Sequence, residues 1–418
     1  METSPQKKKH LRIAMVLAAM GPGLVAALAG TDAGGIATYS NAGSLFGLQQ
    51  LWTCPVMCFF LIVAQETAAR MGCVTGKGLA GLIREQFGVR LSVVAMLAVL
   101  VSNSFVTLSE FAGIASGMEL FGVPAYISVP IAGIVVWLLT ISGSYKRIEK
   151  VLLAIACIFV TYIIAGFLVQ PNWGQAAFFT IVPHIEPTPV YLSLLVANIG
   201  TTIAPWMLFL QQANVVEKNV GPEEVPYQRI DTATGAIIAS AISWFILLAT
   251  GSTLYQHNVG EVHEAAQAAL ALAPVAGNAA SALFGLGLVG ASLLAACVLP
   301  GITSSAICEA FGWESGANTS LKEAPAYHFI ISAIVIFSII LVLIPGIDLF
   351  AVMMVAQVVN GVLLPVLMIY MVRIASNKRV MGKYKNSMFW TGITWFAIVA
   401  IIILTIIMFV LQAMGYGG

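Results

Sequence analysis

The chain has 418 residues, 59% of them hydrophobic and only 9% charged, with a formal net charge of +1. A mean hydropathy of +0.94 excludes an ordinary soluble domain and points to an integral membrane protein. A balance so close to neutral gives no reason to expect a nucleic-acid partner.

Met1 to His10 is polar and basic, but the apolar run behind it is too long for a signal-peptide core, so no cleavable signal is expected. Apolar segments then recur near residues 13–46, 49–72, 91–121, 124–143, 151–169, 189–216, 230–256, 278–310, 326–345, 348–373 and 387–413. A bilayer core needs about 20 helical residues. The segments therefore predict eleven transmembrane helices, in an all-α membrane protein with no room for a soluble domain in any loop. If the N-terminus is cytoplasmic, all 19 Lys and Arg fall on the inner side and the outer loops hold none. The basic residues thus predict an N-in, C-out topology, since one span more or fewer would invert the bias downstream.

The first span holds Gly30-Thr31-Asp32-Ala33-Gly34-Gly35 where the lipid should be thickest. A charge at that depth costs at least ~2.5 kcal/mol, so Asp32 is a functional candidate. The glycines are poor helix formers. Two half-helices joined by an unwound turn are expected, and a carboxylate beside freed carbonyls suits a cation. A kinked helix whose Asp is satisfied by a neighbour is the alternative.

The second and third spans carry plainer features. Cys54 and Cys58 lie one helical turn apart with no His nearby, and all six cysteines sit in or at the ends of apolar segments, so they read as packing residues. Glu66 and Arg70 are spaced for an interfacial ion pair.

The sixth span repeats the anomaly of the first. Asn198-Ile199-Gly200-Thr201-Thr202-Ile203-Ala204-Pro205-Trp206 places Gly, two Thr and Pro near its middle. Breaks five spans apart suggest an inverted repeat with its binding site at midplane. The expected organisation is one transmembrane domain over 1–418, with repeats at about 13–169 and 189–373 and an extra helix at 387–413. Asp231, beside Arg229 at the start of the seventh span, reads as helix-end chemistry. His257, Glu261, His263 and Glu264 read as a solvated outer loop.

These stretches resemble the NRAMP divalent-metal transporters. Gly21-Pro22-Gly23 through Asp32-Ala33-Gly34-Gly35-Ile36-Ala37-Thr38 is similar to that family's first span, where its motif is Asp-Pro-Gly-Asn. Val74 to Leu79, Glu110 to Pro124, Ala204-Pro205-Trp206 at the family's Met-Pro-His, Gln357 to Pro365 and Lys378 to Gly382 follow the same pattern. The resemblance spans nearly the whole chain. It implies a LeuT-like 5+5 inverted repeat with discontinuous helices 1 and 6, working by alternating access in the cell membrane, here a bacterial plasma membrane. It implies no enzyme, no bound cofactor and no obligate protein partner. The partners would be the lipid bilayer and the divalent metal ion carried.

The resemblance also carries site residues. Asp32 keeps the family's metal-binding carboxylate, and the Ala29 carbonyl would lie beside it. Thr201 would offer its carbonyl and Gln357 its side-chain amide. Gly35 stands where the family has an Asn ligand, Ala204 where it has Met and Trp206 where it has His. Gly35 and Ala204 would line the site by leaving space. Thr202 and Asn360 could hold ligand waters, though Thr202 could equally bond its own helix and Gln357 could be interhelical glue.

A thioether favours softer metals, whereas carboxylate, carbonyl and water favour hard cations. The pattern is similar to the NRAMP-related magnesium transporters, and implies partly hydrated Mg²⁺ as cargo, with Mn²⁺ also carried. The family's proton relay is depleted. Glu110 remains, its partner position is Thr107, the span-6 His is Trp206, and the ninth span begins Pro325-Ala326-Tyr327-His328 without Arg. Transport without proton coupling is therefore expected, with Glu110 in a structural role.

Two other readings stay open. One is a proton-coupled Mn²⁺/Fe²⁺ symporter. The other is a LeuT-fold carrier of an organic solute such as an amino acid, against which Asp32 argues by repelling a carboxylate. An intramembrane enzyme lacks its constellation, because Asp32 and Glu110 are the only deep acids and no deep His or Lys pairs with a serine.

Overall fold

A computed structural model describes residues 32–142, 158, 161–316 and 319–414. The protein is all-α. Its helices are α1 (Ala33–Phe46), α2 (Thr53–Thr75), α3 (Leu79–Glu119), α4 (Ala125–Ile141), α5 (Thr161–Leu168), α6 (Trp173–Ile181), α7 (Pro189–Thr202), α8 (Pro205–Glu217), α9 (Val225–Thr253), α10 (Ala280–Phe311), α11 (Pro325–Val342), α12 (Leu349–Ala375) and α13 (Met388–Ala413). Among the described residues, 8 segments are long and apolar enough to cross a membrane, and Ala125–Ile141 is a shorter apolar helix. The first half of the first expected span, about half of the fifth, and Cys157 lie outside the described residues.

Local chemistry sets the start of α1 and the break between α7 and α8. Asp32 is extended (φ −85, ψ 177) and caps α1 with its side chain, so the helix starts there. In an unbroken helix the Thr201 carbonyl would take the N–H of residue 205. Pro205 has none, and its ring crowds that carbonyl. Accordingly α7 stops at Thr202, Ile203 and Ala204 are non-helical, and α8 starts at Pro205. The break expected in the sixth span is present.

Two boundaries differ from expectation. Helix α3 begins at Leu79 rather than near 91, because Gly88 adopts φ 75 and joins a short limb to the long one. Helix α9 begins at Val225, five residues before the expected 230, with Pro226 in its first turn. Asp231 is therefore inside the helix and fully buried, not at its end.

Two apolar clusters form the core. One joins α1, α3, α4, α9 and α10, and the other joins α2, α3, α12 and α13. Helices α7 and α12 cross with almost no side chain between them. A β-carbon on Gly200 would lie 2.1 Å from the Gln357 carbonyl, and one on Gly361 would lie 2.4 Å from the Val196 carbonyl. That crossing holds Thr201 and Gln357 at one level.

The connections are tied down at both ends of the molecule. Glu66 pairs with Arg70 at 3.0 Å, as expected, and also with Arg229 at 2.8 Å. The expected outer loop is solvated, with His257, Glu261, His263 and Glu264 all exposed, and it is also tied to the helices. Val262 donates its N–H to Asn41 Oδ1 at 2.8 Å, Ser44 donates to the Gly260 carbonyl at 2.5 Å, and His263 Nδ1 lies 2.5 Å from Asp348 Oδ2.

Candidate metal-transport site

Asp32 sits at the N-terminus of α1 and is 1% exposed. Its Oδ1 accepts the Gly35 N–H at 2.8 Å and the Thr201 hydroxyl at 3.5 Å. Its Oδ2 has no hydrogen-bond partner among the described residues. A carboxylate oxygen buried without a partner is costly, and a cation or water offsets that cost. The oxygen lies at the end of α1 beside the α7–α8 break.

Glu110, on α3, reaches the same helix end. Its Oε2 accepts the Ala33 N–H at 3.3 Å, while Oε1 has no partner among the described residues. Both carboxyls thus accept backbone N–H groups from the first turn of α1. Helix N-termini favour negative charge, which accounts for both at this place.

Gln357, on α12, is fully buried, and a β-carbon on Gly34 would fall 1.8 Å from its Nε2. A side chain at position 34 would have to displace that amide. Nε2 has no partner among the described residues, and Oε1 accepts from Asn360 Nδ2 at 3.4 Å. Asn360 Nδ2 also donates to the Gly200 carbonyl at 2.6 Å, and Asn360 Oδ1 accepts from the Ser102 hydroxyl. Asn360 thus ties α12 to α7 and α3 just beside Thr201.

Asp32, Gly35, Thr201 and Gln357 come together around the first turn of α1. Ala29 lies outside the described residues. Ala204 is fully buried in an apolar cluster with Trp206, Val106, Met207 and Leu294. Trp206 is fully buried too, and its indole N–H has no partner among the described residues. Thr202 donates to the Asn198 carbonyl of its own helix at 2.7 Å and accepts from Tyr39 OH at 2.7 Å. Thr107 is spent on the Asn103 carbonyl at 2.8 Å, and His328 is bonded to the Thr319 carbonyl at 2.9 Å.

The sequence reading missed Tyr39 and Ser102. Tyr39 lies seven residues after Asp32, two turns along one helix face, and Ser102 lies eight before Glu110. That spacing was the available signal. Tyr39, Thr202, Met207 and Ser240 line a cavity of about 20 Å³, enough for a water. Among the described residues no group of three or more His, Cys, Asp or Glu could hold a metal, so any cation here meets one or two carboxylates and neutral oxygens.

Comparison with known proteins places this geometry. The chain is 27% identical over 390 residues to the divalent metal cation transporter MntH of Aeromonas hydrophila, covering 88% of this chain and 90% of the relative. Its fold matches the manganese transporter of Eremococcus coleocola with a TM-score of 0.75 at 22% identity, covering 97% of this chain and 88% of that one. It also matches Mhp1, a nucleobase-cation-symport-1 transporter, with a TM-score of 0.57 at 13% identity, covering 95% and 91%. The all-α architecture is therefore LeuT-like. A family model described as natural resistance-associated macrophage protein-like matches residues 23–411, and the chain belongs to that NRAMP family of membrane proteins.

Proposed function

We propose that this protein moves divalent metal cations across a membrane by alternating access, with partly hydrated Mg²⁺ its main cargo, Mn²⁺ a second, and no coupled proton. The observation that carries the reading is the buried Oδ2 of Asp32, without a partner among the described residues, beside the interrupted α7–α8 helix. In this reading Asp32 supplies the charge. The carbonyls of Ala29 and Thr201 and the amide of Gln357 supply neutral oxygens. Gly35 and Ala204 leave the volume that retained waters fill. MntH and the manganese transporter support divalent metal as the cargo class.

The preference for Mg²⁺ rests on chemistry. Ala204 puts no thioether near the site and Gly35 no amide. Mg²⁺ gives up its waters reluctantly and is usually held by one or two carboxylates. The lack of proton coupling rests on two other positions, since Trp206 cannot relay a proton and Thr107 is bonded to its own helix. The membrane would be a bacterial plasma membrane, crossed eleven times with the N-terminus inside and the two repeats in opposite senses. Metal competition tests the cargo. In proteoliposomes, excess Mg²⁺ should suppress Mn²⁺ uptake and Asp32→Asn should abolish both. Mn²⁺ uptake indifferent to Mg²⁺ would refute the preference.

A further inference from the structure

A cavity of about 620 Å³ opens between α2, α9 and the connection from α12 to α13, and neither Asp32, Thr201 nor Gln357 lines it. One wall is apolar, made by Ile62 and Val63 of α2 and Trp390 of α13. The other carries charge. Four cationic side chains, Arg70, Arg229, Lys383 and Lys385, line it against one carboxylate, Glu66, which leaves a net +3.

Glu66 is already engaged by Arg70 at 3.0 Å and Arg229 at 2.8 Å. Arg70 is spent structurally. It is buried and donates to the Tyr384 carbonyl at 2.5 Å and Asn386 Oδ1 at 2.5 Å, which pins the connection onto α2. Lys383 and Lys385 are exposed on that pinned connection, and neither has a carboxylate partner among the described residues. Beyond Trp390 the apolar wall continues into aromatic rings that are largely exposed among the described residues. Phe59 is 42% exposed and stacks on Trp390 at 6.3 Å, and Phe389 is 68% exposed.

We propose that this cavity seats an anionic phospholipid. Its phosphate lies among Arg229, Lys383 and Lys385, and its acyl chains lie along Ile62, Val63 and Trp390. A free anion has no use for the apolar wall, and a cation is repelled by the basic one. An amphiphile with a negative head matches both at once, and exposed aromatic rings are the usual neighbours of headgroups. The basic residues come from segments that the charge bias assigns to the inner side, so the lipid belongs to the inner leaflet.

The test is native mass spectrometry on the full-length protein with phosphatidylglycerol or phosphatidylcholine. Each cation near an anionic headgroup is worth about a fivefold gain. The wild type should retain phosphatidylglycerol over phosphatidylcholine. K383A/K385A should lower phosphatidylglycerol retention about 25-fold. K383R/K385R should restore it. Both lysines are exposed, and the one contact given for them, Lys383 Nζ 5.1 Å from the Tyr384 ring, is a weak surface one, so the thermal unfolding of these variants should stay close to the wild type. Equal retention of the two lipids, or a double alanine variant that holds phosphatidylglycerol like wild type, overturns the proposal. So does inorganic phosphate raising the melting temperature as far as phosphatidylglycerol does, which would assign the cavity to a free anion.

Discussion

Asp32 and Glu110 converge on one helix end: Asp32 Oδ1 takes the Gly35 N–H at 2.8 Å, and Glu110 Oε2 takes the Ala33 N–H at 3.3 Å. The two carboxyls are not equivalent. Asp32 also faces the Thr201 hydroxyl at the α7–α8 break, whereas Glu110 reaches the peptide from behind, on α3. Substitution should therefore separate them. Asp32→Asn keeps an acceptor for Gly35 but loses the charge, and Mg²⁺ uptake should fall at least about tenfold. Glu110→Gln keeps the acceptor for Ala33, and uptake should stay within about threefold of wild type. Glu110→Leu leaves that N–H unpaired and should cost about 1–3 kcal/mol of stability. Radiotracer uptake and thermal unfolding read the two effects.

The Gly34–Gln357 contact predicts a double-mutant rescue. Gly34→Ala drives a β-carbon to 1.8 Å from Gln357 Nε2 and should destabilise by about 1–3 kcal/mol through overpacking. Gln357→Ala removes the clash, so the double variant should recover most of that loss. Equal destabilisation in the single and double variants would show that the strain lies elsewhere.

Restoring a ligand should shift selectivity. Gly35→Asn adds an amide oxygen beside Asp32 and fills space that waters would occupy. The Mg²⁺/Mn²⁺ uptake ratio should fall about tenfold, because a tighter, drier site penalises the ion that holds its waters hardest. An unchanged ratio would mean that residue 35 does not face the ion.

The tie between the loop and α12 should depend on pH. His263 is held above its ordinary range first by its hydrogen bond to Asp348, with the charges of Asp348, Glu261 and Glu264 adding to that and slight burial opposing it. A raised folded value means that the tie is fully present below the unfolded value of about 6.5 and weakens as pH rises through the folded one. After correction for the intrinsic rate, hydrogen exchange of the Gly260–His263 segment should be slower at pH 6 than at pH 8. His263→Gln should remove the difference.

Much of this was legible in the residues. The start of α1 at Asp32 and the break at Pro205 follow from capping and from a missing donor, which are local effects. The meeting of Asp32, Thr201 and Gln357 followed only from the resemblance, because it depends on the α7–α12 crossing at Gly200 and Gly361, which no local rule encodes. The long-range hydrogen bonds of Tyr39 to Thr202, Ser102 to Asn360 and Glu110 to Ala33 were invisible for the same reason. Asp231 was misplaced because a helix start was assigned from hydropathy, while Pro226 had already begun the helix inside a polar stretch.

The central claim is uncoupled Mg²⁺ transport through Asp32. Proteoliposomes carrying a Mg²⁺-sensitive dye and a lumenal pH dye test it together, with Mg²⁺ outside and a negative-inside potential. The account predicts Mg²⁺ uptake that Asp32→Ala abolishes, with no lumenal acidification. No Mg²⁺ signal, with Mn²⁺ taken up and protons following it, would contradict the account and leave a proton-coupled transition-metal transporter.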